Sequence, residues 1–379
     1  MLKVFNAKGK YVQGRDALMS LSDEIVKIGI KGKAFILVSK HSEKIASQKF
    51  TDSLKHANFE WEVERFAGEC LEKEIERLSE IVIKVRADFI IAIGGGKVID
   101  TARILASKMN KELIVCPTIA SSNSACLSSS IIYSEKGQAE EVRCFEQGPR
   151  LILVDLDIIA KSPKRYLISG IGDALATFFE ARVNKENYRR NLNGIYSSEL
   201  GFSIAKLCRD IIQKDGEQAI RSNEQETVTP ALERVVEAIF LLSGLAIELC
   251  GSSAAHSIHN GLTSLHATFD FYHGEKVAFS LLAQLVMEGR PSREIEQLYD
   301  FYRVVGLPVT LEQIGISKTH PEQLQVVGER ATRRDESIHN EPFEVTSAMV
   351  IDALRVADQI GKKVLERSYL SFDAWSRAA

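Results

Sequence analysis

Four of the eight histidines in this 379-residue chain, His256, His259, His266 and His273, fall in one short segment. Their contexts are Ala254-Ala255-His256-Ser257-Ile258-His259-Asn260 and His273-Gly274-Glu275-Lys276-Val277-Ala278. Far upstream, Gly170-Ile171-Gly172-Asp173-Ala174-Leu175-Ala176 predicts a carboxylate at a glycine-flanked helix start. Two imidazoles and a carboxylate suit Zn²⁺ or Fe²⁺ and leave coordination positions open for a substrate oxygen. No spacing rule joins residue 173 to residue 256, however, and H-x-x-H is weak by itself. Asp173 reads equally as a helix N-cap, and His259 as a hydrogen-bonded core histidine.

A second kind of chemistry is offered by Asp88-Phe89-Ile90-Ile91-Ala92-Ile93-Gly94-Gly95-Gly96-Lys97-Val98-Ile99-Asp100-Thr101. The apolar, β-branched run predicts a strand buried on both faces. Glycines and a helix-compatible stretch follow, which is where free backbone N–H groups can meet a phosphate. A Cβ would hold that phosphate away from the chain, and Lys97 adds positive charge. The run fits neither G-x-G-x-x-G nor G-x-x-x-x-G-K-[ST], because Val98 follows the lysine. A tight turn, with Asp100 merely complementing the helix dipole, accounts for it equally well.

These residues need a frame. Strand patterns at Ala34–Val38, Trp61–Phe66, 89–93, Leu113–Cys116 and Leu151–Val154 alternate with helical patterns at Glu43–Ala57, Leu71–Val85 and Val98–Met109. That alternation predicts a mostly parallel sheet wound on both faces, with ligands beyond the carboxyl ends of its strands. A hairpin is expected between Ser130 and Phe145, turning at Glu135-Lys136-Gly137. After Ser162-Pro163-Lys164 the spacing is helical, over Asp173–Val183, Gly194–Lys214, Pro230–Cys250 and Val345–Leu365. A domain boundary is placed near 160, dividing 1–160 from 161–379.

A net charge of −3 gives no reason to expect nucleic acid or an anionic membrane surface as partner. No apolar run is long enough for a transmembrane helix, and the first residues lack a signal-peptide pattern. The six scattered cysteines, with no C-x-x-C pair, suggest buried thiols in a reducing cytoplasm.

Taken together, the chain resembles the glycerol dehydrogenase branch of the iron-containing (metal-dependent, type III) alcohol dehydrogenases. The likeness runs from Lys10-Tyr11-Val12-Gln13-Gly14 through the glycine run, Pro117-Thr118-Ile119-Ala120-Ser121, the Asp173 segment and both histidine segments to Glu336-Ser337-Ile338-His339-Asn340. It implies an α/β Rossmann-like N-terminal domain that binds the dinucleotide. It also implies an all-α C-terminal domain that binds metal and substrate, the architecture shared with dehydroquinate synthase. The resemblance makes Asp173, His256 and His273 the metal ligands, with Zn²⁺ or Fe²⁺ bound, and His259 a neighbour. It puts Gly95, Gly96, Lys97 and Asp100 on pyrophosphate and ribose positions. Thr118, Ser121, Leu127, Ser129 and Tyr133 fall along the rest of NAD or NADP. The implied reaction oxidises glycerol or a similar small diol, in a homo-oligomer.

Two departures from the family pattern stand out. Asn123 occupies the place of an aspartate that contacts polyol hydroxyls, and its neutral amide would no longer repel an anionic substrate. A hydroxycarboxylate, 2-oxo acid or aldehyde is therefore the alternative substrate. Ser39, in Val38-Ser39-Lys40-His41, occupies the place of the acid that holds the adenosine ribose, which predicts use of NADP beside NAD. Glu336-Ser337-Ile338-His339-Asn340 has no chemical role on this reading.

Overall fold

The structure, a computed structural model, describes residues 9–134, 139–191, 194–317 and 321–376, with side chains as far as 366. The strands are β1 (Lys10–Gly14), β2 (Ala34–Val38), β3 (Trp61–Arg65), β4 (Phe89–Gly94), β5 (Glu112–Pro117), β6 (Ser129–Tyr133), β7 (Ala139–Cys144) and β8 (Leu151–Asp155). Six of them form a parallel sheet in the order β1-β8-β5-β4-β2-β3. β2, β4 and β8 are buried along their whole length, hence their continuous apolar sequences. The expected hairpin is β6 with β7, antiparallel; its turn residues lie outside the described residues. β1 was not expected. It is a half-exposed edge strand whose Lys10 and Gln13 hide the pattern, and it exists through pairing with β8.

Winding reverses between β2 and β4, since β3 lies outside β2 while β5 and β8 continue beyond β4. The crevice at such a reversal is where open α/β sheets bind ligands. Register sets Val38 beside Ile93 and Gly94 beside Pro117, so Ser39, Gly95 and Thr118 emerge together at the carboxyl edge.

Every named element after β8 is helical. The helix Lys164–Glu186 runs through the middle and is buried nearly throughout from Leu167 to Asn184. Asp173 is therefore mid-helix, not at a helix start. The glycines that suggested a start are close-approach points instead. A Cβ on Gly172 would lie 2.6 Å from the Gly274 carbonyl oxygen, and one on Gly170 would lie 2.1 Å from that of Ala120. The Pro230–Cys250 helix opens on a Thr229 cap, whose hydroxyl accepts from the Leu232 N–H. A π-turn, Ala238–Leu242, interrupts it and re-aims the residues that follow. One hydrophobic cluster takes Phe35, Ile90 and Val115 from the sheet and Ile171, Ile258, Phe279 and Leu354 from the helices. Among the described residues no single helix is long and apolar enough to cross a membrane; the bent pair Pro230–Cys250 and Ala254–Leu262 meets the length and composition test only when taken together. None of the six cysteines forms a disulfide among the described residues and, contrary to the expectation of buried thiols, Cys144 is exposed.

Candidate metal and cofactor site

Three helices meet where their side chains can share one ion. Asp173 comes from the Lys164–Glu186 helix, His256 from Ala254–Leu262 and His273 from the first position of His273–Met287. Asp173 is fully buried. Its Oδ1 lies 3.3 Å from His273 Nε2 and 3.4 Å from His256 Nε2, and has no hydrogen-bond partner. Oδ2 accepts the Asn123 backbone N–H at 3.0 Å.

The surrounding bonds fix which ring nitrogens face inward. His256 Nδ1 is 2.6 Å from Glu180 Oε2, and Glu180 Oε1 also accepts the backbone N–H groups of Ser253 and His256. Glu180 is two turns beyond Asp173 on the same helix. Because Nδ1–H donates to a carboxylate, Nε2 keeps its lone pair for the centre. On the other side, Asn260 donates Nδ2 to both Glu336 oxygens, so its Oδ1 accepts from His259 Nδ1 at 3.2 Å. His259 Nε2 then accepts from His273 Nδ1 at 3.1 Å, which frees His273 Nε2. Burial, reinforced by His273, Lys276 and His256, pushes the His259 pKa well down and keeps that ring neutral. His259 thus orients a cluster member and stands outside the cluster.

Two lone pairs and an orphaned carboxylate oxygen converge, with candidate ligand atoms all within 4.8 Å of one another. Their electrostatics suit a cation. Burial works against ionisation of Asp173, but His273 and His256 hold its carboxyl well below the usual range. Burial also opposes protonation of His256, yet Glu180 and Asp173 outweigh it and push its pKa up to about 10. Without metal a proton sits where the ion would. The donor set fits a divalent ion with an open position for substrate. Changing Glu180→Gln removes the charge and keeps the shape; metal affinity, read by chelator competition, is expected to fall about 10- to 100-fold.

The segment Glu336–Asn340 acquires a structural role. Ser337 Oγ donates to the Ser253 carbonyl, Ser257 Oγ accepts the Ile338 N–H, and Asn340 Nδ2 donates to the Ser252 carbonyl. With Glu336 on Asn260, it straps the helix that carries His256 and His259.

At the sheet edge, the Gly96–Lys108 helix begins on Gly95 with no side-chain cap, so its first N–H groups are left for a ligand. A Cβ on Gly96 would face the Ser122 and Ser124 hydroxyls at 3.8 Å, and one on Gly95 would meet Ile119 at 2.7 Å. Lys97 is paired with Glu69 and lies over the Tyr133 ring. Thr118 Oγ1 bonds Ser42 Oγ at 2.9 Å, and Ser42 in turn bonds Ser39 Oγ. The Ser121 carbonyl accepts from Ser169, and Leu127 follows the short helical turn Asn123–Cys126. Asp100 turns inward: its carboxylate is taken by the buried Arg103 at 2.7 Å and Ser124 at 3.0 Å. Arg103 also holds the carbonyls of Ser124 and Ser129, so Asp100 supports the loop beneath the glycine turn. Asn123 is buried too. Its Nδ2 donates to Ser243 Oγ at 2.9 Å, just past the π-turn, and Ser243 bonds Thr177.

Glu180, Asn260, Arg103, Ser243 and Lys276 escaped the sequence reading. Only Glu180 carried a usable signal, its two-turn spacing from Asp173.

This geometry has counterparts. The family model for iron-containing alcohol dehydrogenase matches residues 8–156. Glycerol dehydrogenase of Thermotoga maritima is 42% identical over 355 residues, 93% of this chain and 96% of its own. The chain belongs to the iron-containing alcohol dehydrogenase family. Within it, glycolaldehyde reductase of Halobacterium salinarum is 40% identical over 369 residues, 97% of this chain and all of its own. The crystal structure of glycerol dehydrogenase from Schizosaccharomyces pombe superposes with a TM-score of 0.91 at 37% identity, over 97% of this chain and 93% of that one. As a member of this metal-dependent, NAD(P)-linked family, the protein is an oxidoreductase of the alcohol and polyol dehydrogenase type.

Proposed function

We propose that the protein oxidises glycerol, or a small diol like it, to the hydroxyketone, with transfer of a hydride to NAD⁺ or NADP⁺. The observation that carries this reading is the convergence of Asp173 Oδ1, His256 Nε2 and His273 Nε2 on one point. In this reading residues 1–160 hold the dinucleotide and 161–379 hold metal and substrate. A divalent metal, Zn²⁺ before Fe²⁺, supplies Lewis-acid stabilisation of the alkoxide when bound. The protein's residues do the rest by positioning. Glu180 and His259 aim the two imidazoles, and the Asn123 N–H fixes the carboxylate. Gly95 and Gly96 admit the pyrophosphate, with Lys97, Thr118, Ser121, Leu127, Ser129 and Tyr133 along the dinucleotide. Since the Asn123 amide is committed to Ser243, its neutrality gives little reason to favour an anionic substrate.

The decisive assay offers glycerol with NAD⁺ and, separately, 2-oxobutanoate with NADH to Zn²⁺-loaded protein. Turnover of glycerol is expected; turnover of the oxo acid alone would overturn the reading. Ser39 follows the last residue of β2, the Lys40 and His41 side chains are exposed, and the nearby Glu43 is bound to Arg65. With no acidic residue at Ser39 to oppose a 2′-phosphate, kcat/KM for NADP⁺ is expected within about tenfold of that for NAD⁺. A preference for NAD⁺ beyond roughly a hundredfold would refute this. Six cysteines without a disulfide among the described residues are in keeping with a reducing cytoplasm. Homo-oligomeric assembly, part of the same family reading, is open to light scattering.

A further inference from the structure

A lysine is seldom buried without a partner, because its ammonium must recover lost hydration from nearby acceptors. Lys276 is only 7% exposed, yet its Nζ makes one long hydrogen bond, 3.4 Å to the Thr268 carbonyl. Among the described residues no carboxylate lies within ion-pair distance of it. The adjacent Glu275 is occupied: its oxygens accept from Arg165 Nε at 2.6 Å and Nη2 at 2.8 Å, and from the Tyr272 N–H at 2.8 Å. The strongest charged influence on Lys276 is another cation. Burial first, and then Lys97, push its pKa down to about 8, with Glu275 opposing.

The two lysines come from opposite sides of the site. Lys97 stands in the glycine turn after β4, where its partner Glu69 is itself 41% exposed. Lys276 lies one turn beyond His273, on a helix whose side chains lean back toward its N-terminus. The charge that weighs most on Lys276 thus belongs to the glycine turn, while Lys276 itself belongs to the helix that His273 opens. An anion between the two lysines would convert mutual repulsion into two attractions.

We propose that Lys276 is a cofactor-binding residue, reaching from the helical part to donate to the dinucleotide pyrophosphate opposite Lys97. This rests on the dinucleotide reading above. In the free protein the ammonium is an uncompensated buried charge, which lowers stability. The bound pyrophosphate supplies the missing acceptor.

The test compares Lys276→Met, Lys276→Gln and Lys276→Arg with the unaltered protein, all loaded with Zn²⁺. NADH and ADP-ribose binding are read by fluorescence and calorimetry, beside metal content and the ligand-free Tm. In the Met and Gln variants both dissociation constants are expected to rise about ten- to a hundredfold. Their salt dependence becomes shallower, Arg restores most of the affinity, and metal content is unchanged. The ligand-free Tm of the Met variant should equal or exceed that of the unaltered protein, which a merely structural lysine would not allow. Unchanged dissociation constants in folded, metal-replete variants would overturn the proposal, as would a raised glycerol KM with unchanged NADH binding. Failure of the unaltered protein to bind either ligand would overturn the dinucleotide reading itself, and this inference with it.

Discussion

His256→Ala protein is expected to purify without stoichiometric metal and to turn over glycerol at least about a thousandfold more slowly, the loss of several kcal/mol of alkoxide stabilisation. On the proposed reading two ligands, Asp173 and His273, would remain. Glu180 would lose its imidazole partner while still buried, so reloading with excess Zn²⁺ would restore little. Plasma emission for metal content, beside kcat, checks both halves; a variant that keeps metal and activity would remove His256 from the centre. The same histidine gives a pH signature. Metal binding displaces the proton that Glu180 and Asp173 hold on His256, whose metal-free pKa lies at about 10. Below that value, metal affinity should fall about tenfold for each unit of acidification. Stability of the metal-free form goes the other way. A pKa raised above the unfolded value of 6.5 stabilises fully below 6.5, and that contribution is lost as pH rises towards 10. Melting curves of metal-free and Zn²⁺-loaded protein across that window should therefore diverge as pH rises.

Gly274→Ala is the second change with a large effect. Its new Cβ would sit 1.8 Å from the Ser169 carbonyl oxygen, a backbone atom with nowhere to go. The helices Lys164–Glu186 and His273–Met287 would have to separate, at a cost of about 3 kcal/mol or more. The adjacent His273 would move with them, away from Asp173. Lower Tm and weaker metal retention are both expected from this one methyl group. Gly216→Ala is the contrast: its nearest neighbour, Phe301, is at 3.4 Å, and a helical alanine there should leave Tm level or higher. Equal melting temperatures for the two variants would contradict the packing argument.

The candidate site was legible because it is built from rare residue types. Histidines clustered in sequence, a carboxylate among glycines and a glycine turn after a buried strand can be found without coordinates. The strands β2, β4, β5 and β8 announced themselves through continuous apolar runs, since a parallel strand buried on both faces has no polar side to confuse it. β1 did not, because an edge strand is specified by its partner more than by its own residues. The glycines around Asp173 were misread for a physical reason. A glycine that ends a helix and a glycine that lets two helices touch look the same in one dimension. Glu180 and His259 act through ring nitrogens, and a tautomer is decided by neighbours that only the fold assembles. The inward turn of Asn123 is of the same kind, since its partner Ser243 lies 120 residues away in the chain.

The bond from the Asn123 N–H to Asp173 Oδ2 has a thermodynamic consequence. It joins the loop that leaves the proposed cofactor edge of the sheet to the carboxylate of the candidate metal cluster. The two binding events share one mechanical part and close a single cycle of four states: empty, metal alone, dinucleotide alone, and both. Around such a cycle the free energies must sum to zero. Whatever factor separates the metal affinity of the dinucleotide-bound protein from that of the free protein is also the factor by which metal alters dinucleotide affinity.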